Sequence, residues 1–588
     1  MFLGWLGEGI LISTRFGNTA QLHRVDEPLG MRNQVTFFEE PVAAAAVSPD
    51  PDAEGFLYVK DVGGSEFFQF FWLDLVTGES TLLTDGRSRY SDIAWAASGR
   101  RLAYTTTERN GVDWDIHVRE MGAAVVDGDV SVALEGRGVG WTAVDWSPDE
   151  TRMLVRQYVS IDESTLHEVD LASGNTRRLL EGLGRASIVE ARYESGGERV
   201  LFTSDLGGEF VGLHRLDLRT GRVETLTADI PWDVEEFTVS RNREWLAFTV
   251  NEGGIGRPRV FALPDLDPVP LPELPEGIVY ALGFSAAGDA LAFVVNHAAA
   301  PADVYSVELE TGSLTRWTQS ELGGLDANDL VAPELVDYPS FDGRRVPAFV
   351  YRPRGPGPHP ALVSIHGGPE AQFRPAFSYS TQFFVNELGV AVVAPNVRGS
   401  AGYGRTWRSL DNGILREDSV RDIGALLDWI DGRPDLDGRR VAVSGGSYGG
   451  YMVLASMVHF GDRLKAGVER VGISNFVTFL TNTQDYRRDL RRVEYGDERD
   501  PEMRAFLEGI SPLNHVDRIT RPLLISQGLN DPRVPATESA QIVAALRERD
   551  VPVWYVLARD EGHGFRKKLN RDYQLAATAL FLTRYLLD

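Results

Sequence analysis

Seven anchors recur along the first half of this chain at nearly constant spacing, and no other feature narrows its fold so far. Trp5, Val47, Trp95, Trp146, Tyr193, Val239 and Phe284 lie 42, 48, 51, 47, 46 and 45 residues apart. Each leads through a turn into a short apolar run. Val47-Ser48-Pro49-Asp50 precedes Phe56-Leu57-Tyr58-Val59, Trp146-Ser147-Pro148-Asp149 precedes Met153-Leu154-Val155, and Phe284-Ser285 precedes Ala290-Leu291-Ala292-Phe293. A second mark falls between some anchors: Asp74 to Gly78, Asp170 to Gly174, Asp217 to Gly221 and Glu308 to Gly312 each pair an acidic residue with a glycine suited to positive φ. Short strands joined by tight turns, one unit every 40–50 residues or so, describe the blades of a β-propeller. Seven anchors predict an all-β, seven-bladed propeller over residues 1–325. A pair of β-sandwiches is the alternative, but sandwiches do not repeat at a fixed period. The aromatic anchors read as blade core. Glu235-Glu236 could grip a free amino terminus; at the first strand of a blade they read instead as a solvated edge, as do Glu39-Glu40.

From about Leu335 the pattern changes. Asp342-Gly343 is a hairpin turn, and Arg352 to Pro360 is a Pro- and Gly-rich loop. Apolar runs of strand length follow: Ala361 to Ile365, Val390 to Ala394, Val441 to Ser444, Ala466 to Val471, Leu523 to Ser526 and Val551 to Leu557. Helical stretches lie among them at Ser419 to Ile430, Tyr451 to His459, Thr537 to Arg549 and Gln574 to Leu587. This alternation predicts an α/β-hydrolase domain over residues 326–588, a doubly wound, mostly parallel sheet. The active site of such a sheet lies at the carboxyl ends of its strands.

The chemistry-bearing residues fall at those ends. Gly445-Gly446-Ser447-Tyr448-Gly449 follows one strand and precedes a helix, the context a nucleophile elbow needs. Alone the pentapeptide is weak, because 60 glycines make such a spacing common. Asp531 follows the strand ending at Ser526, and His563 follows the strand ending at Leu557. The order Ser, Asp, His is that of α/β-hydrolases. His366-Gly367-Gly368-Pro369 follows Ile365, where an oxyanion hole belongs. The reading is therefore a serine hydrolase. Ser447 is the nucleophile, His563 the general base, Asp531 the acid that orients it, and the N–H groups of Gly368 and Tyr448 are the oxyanion donors. His515 follows no strand and reads as structural, and His459 is read as packing on its helix. No His/Asp/Glu cluster has metal-ligand spacing and no glycine loop has phosphate-binding form, so neither a metal nor another cofactor is inferred.

Composition bounds the rest. The formal charge of −26 repels nucleic acid and anionic membranes. No apolar stretch reaches the roughly 18 residues of a membrane span. The absence of Cys rules out disulfides and thiol chemistry, and the start of the chain has no basic residue ahead of its apolar ones. A cytoplasmic location is expected. A homo-oligomer is compatible with these features.

At these residues the chain resembles the prolyl oligopeptidase family of serine peptidases, and most closely its acylaminoacyl-peptidase-like branch. The resemblance rests on His366 to Pro369, Asn396-Val397-Arg398-Gly399-Ser400 with Gly402-Tyr403-Gly404, Gly445 to Tyr451, Ser511-Pro512 with His515, Asp531-Pro532-Arg533-Val534-Pro535, and Gly562-His563-Gly564. The propeller half is similar in architecture, with little motif-level identity. The resemblance implies an oligopeptidase whose propeller admits only short peptides, with Arg533 binding a substrate backbone carbonyl. It also implies a specificity pocket around Ile473 to Phe479 that Phe476 or Phe479 lines, although either could be core. Two features depart from the family. The branch carries an amino-terminal helix, whereas this chain begins inside the first blade. The glutamate motif of dipeptidyl-peptidases is not convincingly present, which argues against strict removal of dipeptides. An esterase acting on small acyl esters with the same triad is the alternative.

Overall fold

Seven four-stranded antiparallel sheets fill the first half of the computed structural model, which describes residues 1–122, 128–138 and 140–588. The sheets comprise β1–β4 in residues 2–34, β5–β8 in 42–82, β9–β12 in 90–134, β13–β16 in 140–178, β17–β20 in 188–225, β21–β24 in 234–269 and β25–β28 in 278–316. The expected seven-bladed propeller is therefore present. Every anchor lies in the first strand of its blade, and six of the seven end it. The chain divides into two compact units: residues 1–62, 66–296 and 302–320 form the first; 63–65, 297–301 and 321–588 form the second.

The repeat has a hydrogen-bond cause. The serine after an anchor closes the turn into the next strand. Ser147 N–H donates to Arg152 O and its Oγ accepts from Arg152 N–H, each at 2.9 Å. Ser240 does the same with Trp245, and Ser285 with Ala290. The acidic mark closes the turn into the fourth strand. Gly78, Gly174, Gly221 and Gly312 sit at φ 74°, 71°, 72° and 68°, and each donates its N–H to the carbonyl of the acidic residue four positions back.

Side chains alternate between the two faces of each blade, so each blade feeds two cores. Ile10 and Ile12 pack on the seventh blade, against Val294 and Trp317. Leu11 between them packs on the second, against Phe56 and Tyr58. Strands of the first blade all come from the chain start, so no strand is shared with the last. Side-chain packing closes the ring, together with a backbone bond from Leu29 N–H to Trp317 O at 3.0 Å. Trp5 meets Trp317 edge to face at 5.5 Å and donates its indole N–H to Gly283 O at 2.9 Å.

One reading from the sequence needs correction here. Glu235 and Glu236 are not a solvated edge. Both are half-buried; Glu235 accepts from Asn251 Nδ2 at 3.0 Å and Glu236 from Leu282 N–H at 2.9 Å. Burial raises the Glu236 carboxyl above the usual carboxylate range. The strand period placed them correctly, but Asn251 of the same blade meets Glu235 and Leu282 of the next blade meets Glu236.

The second unit holds an eight-stranded sheet. Its strands are β29 (Glu334–Pro339), β30 (Arg345–Tyr351), β31 (His359–Ile365), β32 (Ala391–Pro395), β33 (Leu436–Gly446), β34 (Ala466–Arg470), β35 (Leu523–Gly528) and β36 (Val553–Ala558). They are ordered β29-β30-β32-β31-β33-β34-β35-β36, antiparallel up to the β30–β32 pair and parallel beyond it. The helices are α1 (Tyr379–Asn386), α2 (Arg405–Arg408), α3 (Asp418–Asp431), α4 (Tyr448–Phe460), α5 (Phe476–Asn482), α6 (Asp485–Tyr495), α7 (Pro501–Gly509), α8 (Ala536–Arg547) and α9 (Lys568–Leu582). Both faces of the sheet are buried, which is why its strands read as unbroken apolar runs. Val441, Val443, Leu523 and Ile525 face α3, α4 and α8, whereas Ala442, Val468 and Leu524 face α1 and α9. Among the described residues no helix is long and apolar enough to cross a membrane.

Trp317 is 6% exposed at the closing interface. Trp317→Ala is expected to cost about 3–5 kcal/mol. Denaturant unfolding followed by Trp fluorescence checks this; an unchanged midpoint would show that the ring is closed by other contacts.

Candidate active site

Ser447 lies between β33 and α4, at the N-cap of the helix, and its backbone sits at φ 59°, ψ −123°. A non-glycine residue at positive φ is strained and persists only where its surroundings fix it. Here Ser447 N–H donates to Arg470 O at 2.8 Å, and Ser447 O accepts from Gly450 and Tyr451 N–H at 2.9 and 3.1 Å. The flanking glycines follow from sterics. A Cβ on Gly445 would overlap Gly449 O and stand 3.0 Å from Ile365 O. One on Gly449 would overlap Ile365 O and lie 2.6 Å from His366 O. One on Gly446 would meet nothing closer than 3.5 Å. The G-x-S-x-G spacing is thus a list of which positions have backbone against them. Helix α4 begins at Tyr448, three residues before the run seen in the sequence, because these contacts override the low helix propensity of Gly449-Gly450.

The loop after β31 lies against this elbow. A Cβ on Gly367 would be 2.9 Å from Gly446 O and 3.3 Å from Ser447 Cβ. Gly368 has φ 122°, and its carbonyl accepts from Tyr495 Oη at 3.3 Å. His366 bonds Gly367 O through Nδ1 at 2.7 Å and Ser400 Oγ through Nε2 at 2.8 Å, and burial pushes its imidazole down. Among the described residues the N–H groups of Gly368 and Tyr448 have no backbone partner. That of Tyr448 is the first of α4, where helix N–H groups go unpaired.

Asp531 and His563 come together from the loops after β35 and β36. His563 Nδ1 lies 2.8 Å from Asp531 Oδ2. Asp531 Oδ1 accepts from Arg533 and Val534 N–H at 2.8 and 3.0 Å, and Oδ2 also accepts from Gln527 Nε2 at 3.3 Å. Among the described residues His563 makes this one side-chain hydrogen bond and Ser447 Oγ makes none. Asp531 and His563 are therefore joined, and Ser447 is not yet joined to them.

Of the other residues singled out in the sequence, Arg533 is exposed, with its carbonyl held by Thr483 Oγ1 at 2.9 Å. Phe476 and Phe479 are 0% and 3% exposed and pack with Tyr495; Phe476 also meets Tyr451 at 4.7 Å. Neither ring is open to solvent in this structure. His515 lies half-buried in a 3₁₀ turn and bonds Gly509 O at 2.7 Å. His459 does not pack as expected. It is exposed at the end of α4 and pairs with Glu417 at 2.8 Å.

Sequence reading missed several supporting side chains. Buried Gln527 braces Asp531 while accepting from Ser539 Oγ at 2.8 Å. Buried Glu561 accepts from Arg566 and Lys567 N–H, both at 2.9 Å, just after His563. Beneath Tyr448 lies the buried pair Arg416–Asp411 at 2.7 Å, with the guanidinium over the Tyr448 and Tyr495 rings at 5.2 and 5.0 Å.

Residues 375–588 match the prolyl oligopeptidase family. The chain carries a prolyl oligopeptidase family domain. It is a serine-type peptidase acting on peptides. The chain is 28% identical over 580 residues to dipeptidyl aminopeptidase BIII of Pseudoxanthomonas mexicana, covering 90% of this chain and 78% of that one. It is 27% identical over 232 residues to an acylamino-acid-releasing enzyme of Mus musculus, covering 39% of this chain and 31% of that one. Its fold matches a solved puromycin hydrolase with a TM-score of 0.87 at 20% identity, over 99% of this chain and 94% of that one. The matched residues thus contain the elbow and the Asp531–His563 pair, and the glycine loop at Gly367-Gly368 lies just ahead of them.

Gly449→Ala is expected to reduce labelling of the elbow serine by a fluorophosphonate at least tenfold, or to prevent folding, whereas Gly446→Ala folds and labels. Equal behaviour of the two variants would show that the backbone contacts at Gly449 do not shape the elbow.

Proposed function

We propose that Ser447, His563 and Asp531 form the catalytic triad of an oligopeptidase that releases acylated or amino-terminal residues from short peptides. The observation that carries this is the 2.8 Å bond of Asp531 to His563 Nδ1, at the same carboxyl edge of the sheet as the strained Ser447. That bond fixes the Nδ1–H tautomer and leaves Nε2 as the base. Ser447 Oγ attacks the scissile carbonyl carbon while Nε2 takes its proton. The carbonyl oxygen becomes anionic and is received by the N–H groups of Tyr448 and Gly368, each worth about 3–4 kcal/mol in the transition state. The C–N bond then breaks, and His563 returns the proton to the leaving amine. Water, deprotonated by His563, hydrolyses the acyl-enzyme by the reverse path. The contact between Ser447 and His563 forms in the substrate complex, as such contacts commonly tighten there.

Arg533, exposed two residues from Asp531, binds a substrate backbone carbonyl. Phe476 and Phe479 set the wall behind the specificity pocket. The propeller restricts substrate size. Likeness to an acylamino-acid-releasing enzyme favours acylated termini, whereas the name of the Pseudoxanthomonas relative points to dipeptides. Glu236 is already engaged by Leu282 N–H and raised by burial, which makes it a poor grip for a free ammonium. A chain without cysteine suits the reducing cytoplasm, and we assign it there.

Ser447→Ala is expected to abolish turnover and fluorophosphonate labelling without unfolding the protein. Asp531→Asn should lower kcat roughly 10⁴-fold by reversing the tautomer; near-normal turnover in that variant would move the acid elsewhere. For substrate class, we expect kcat/KM to be highest on an acetylated amino-acid anilide, lower on a free dipeptide anilide, and measurable on a short-chain aryl ester. Activity confined to the ester would replace the peptidase reading with a carboxylesterase.

A further inference from the structure

The sheet face that packs on α1 and α9 turns polar at its carboxyl edge. Ala442, Val468 and Leu524 lie on that face in one buried cluster. Two residues further along the same strands come Ser444, Arg470 and Ser526, on the same face by strand alternation. Arg470 is in register with Gly446 on one side and Ser526 on the other. Its carbonyl holds Ser447 N–H at 2.8 Å, and its Nε would be 3.7 Å from a Cβ placed on Gly446. The guanidinium therefore folds over the residue next to Ser447.

Among the described residues no carboxylate lies within ion-pair distance of this cation. Among the described residues its side chain makes no hydrogen bond or ion pair, and the titratable groups acting on it are Glu469 and the Tyr379 phenol. Glu469 faces the opposite side of the sheet, where its Oε1 accepts from Gly472 N–H and burial pushes its carboxyl up to about 8. Burial also lowers the Arg470 guanidinium. Beside it, the fully buried Ser526 Oγ has no partner among the described residues, and Ser444 is buried one strand away. A half-buried guanidinium and an unpaired hydroxyl are costly unless an anion or water meets them. Their donors have the planar fork and extra hydroxyl that suit a carboxylate.

We propose that Arg470, with the hydroxyls of Ser526 and Ser444, is a carboxylate-binding subsite that selects peptides carrying a carboxylate next to the scissile bond. It rests on Ser447 being the nucleophile. The carboxylate has two sources: an acidic residue on the acyl side, or the free carboxyl terminus of the leaving residue.

Two matched substrate pairs separate the sources in the full-length protein: acetyl-Glu against acetyl-Gln anilide, and acetyl-Ala-Ala with a free carboxylate against its carboxamide. The wild type is expected to prefer the carboxylate member of one pair by about 10- to 100-fold in kcat/KM, mostly through KM. Arg470→Gln should remove that preference, Arg470→Lys should keep part of it, and added NaCl should weaken it. If Arg470→Gln does not fold, Arg470→Lys and Ser526→Ala provide the comparison. Equal treatment of both pairs by the wild type, or a preference that survives Arg470→Gln, overturns the subsite. The neutral members report on Ser447 alone. Their turnover, and its loss in Ser447→Ala, keeps the triad reading intact even if the subsite fails.

Discussion

The close approach of α4 to the end of β31 sets everything else at the catalytic edge. Gly449 lies against Ile365 O and His366 O, and Gly450 lies against Gly472 Cα. A side chain at either position would lift the helix and release Ser447 from its strained φ. That strain is of order 1–3 kcal/mol, and it persists because β34 and the first turn of α4 hold the Ser447 backbone from both sides. The same proximity brings Gly367 onto the elbow, so the glycine loop and the serine are positioned by one contact.

Behind this contact, buried charge fixes position more than it adds stability. A buried ion pair roughly breaks even against desolvation, so the Arg416–Asp411 pair is poor support for a stable fold. Its value lies in what it ties together. Tyr448 Oη donates to Asp411 at 3.2 Å, and Tyr495, stacked against the same guanidinium, donates to Gly368 O. Tyr448 and Gly368 are therefore anchored to one cluster. Burial raises Asp411 to about 6 and, beyond Pro369, Glu370 to about 8. At neutral pH Glu370 is therefore largely uncharged while Asp411 stays ionised beside Arg416, so the cluster adds little net negative charge beneath Ser447.

The propeller solves a different problem. Each blade spends its two faces on its two neighbours, and the interface between the last and first blades is built like the other six. Because every sheet is completed by its own four consecutive strands, closing the ring forms no new strand pairing. Closure is thus chiefly a packing event, and opening it would expose one apolar cluster and break the Leu29–Trp317 backbone bond while leaving each sheet hydrogen-bonded. Local free energies of opening follow local contacts, so this seam is the place where the ring can yield without a blade unfolding.

What the sequence disclosed, and what it hid, follows from the range of each interaction. Blade turns, the elbow and the order of Ser447, Asp531 and His563 are local in sequence, and each carries its own residue signature. The helices α5 to α7 lacked an apolar stripe that could be read. Helix α6 is dominated by Arg and Asp, and its fold depends on pairs such as Arg492–Glu498. Glu236 and His459 were misjudged for a common reason. Period assigns a face, but burial depends on what lies opposite: Leu282 of the next blade covers Glu236, whereas His459 at the exposed end of α4 meets Glu417 and its neighbour Phe460. Gln527, Arg416 and Arg470 gave no signal at all. Gln527 sits in an apolar strand where a polar residue looks like noise, yet four buried hydrogen bonds account for it. Arg416 and Asp411 are close in sequence, but the aromatic rings that make their burial tolerable come from α4 and α6. Arg470 differs from both in having no hydrogen-bond or ion-pair partner for its side chain among the described residues. A charged residue placed at a strand end by period alone, and left without one, is the case where structure adds chemistry that no pattern contains.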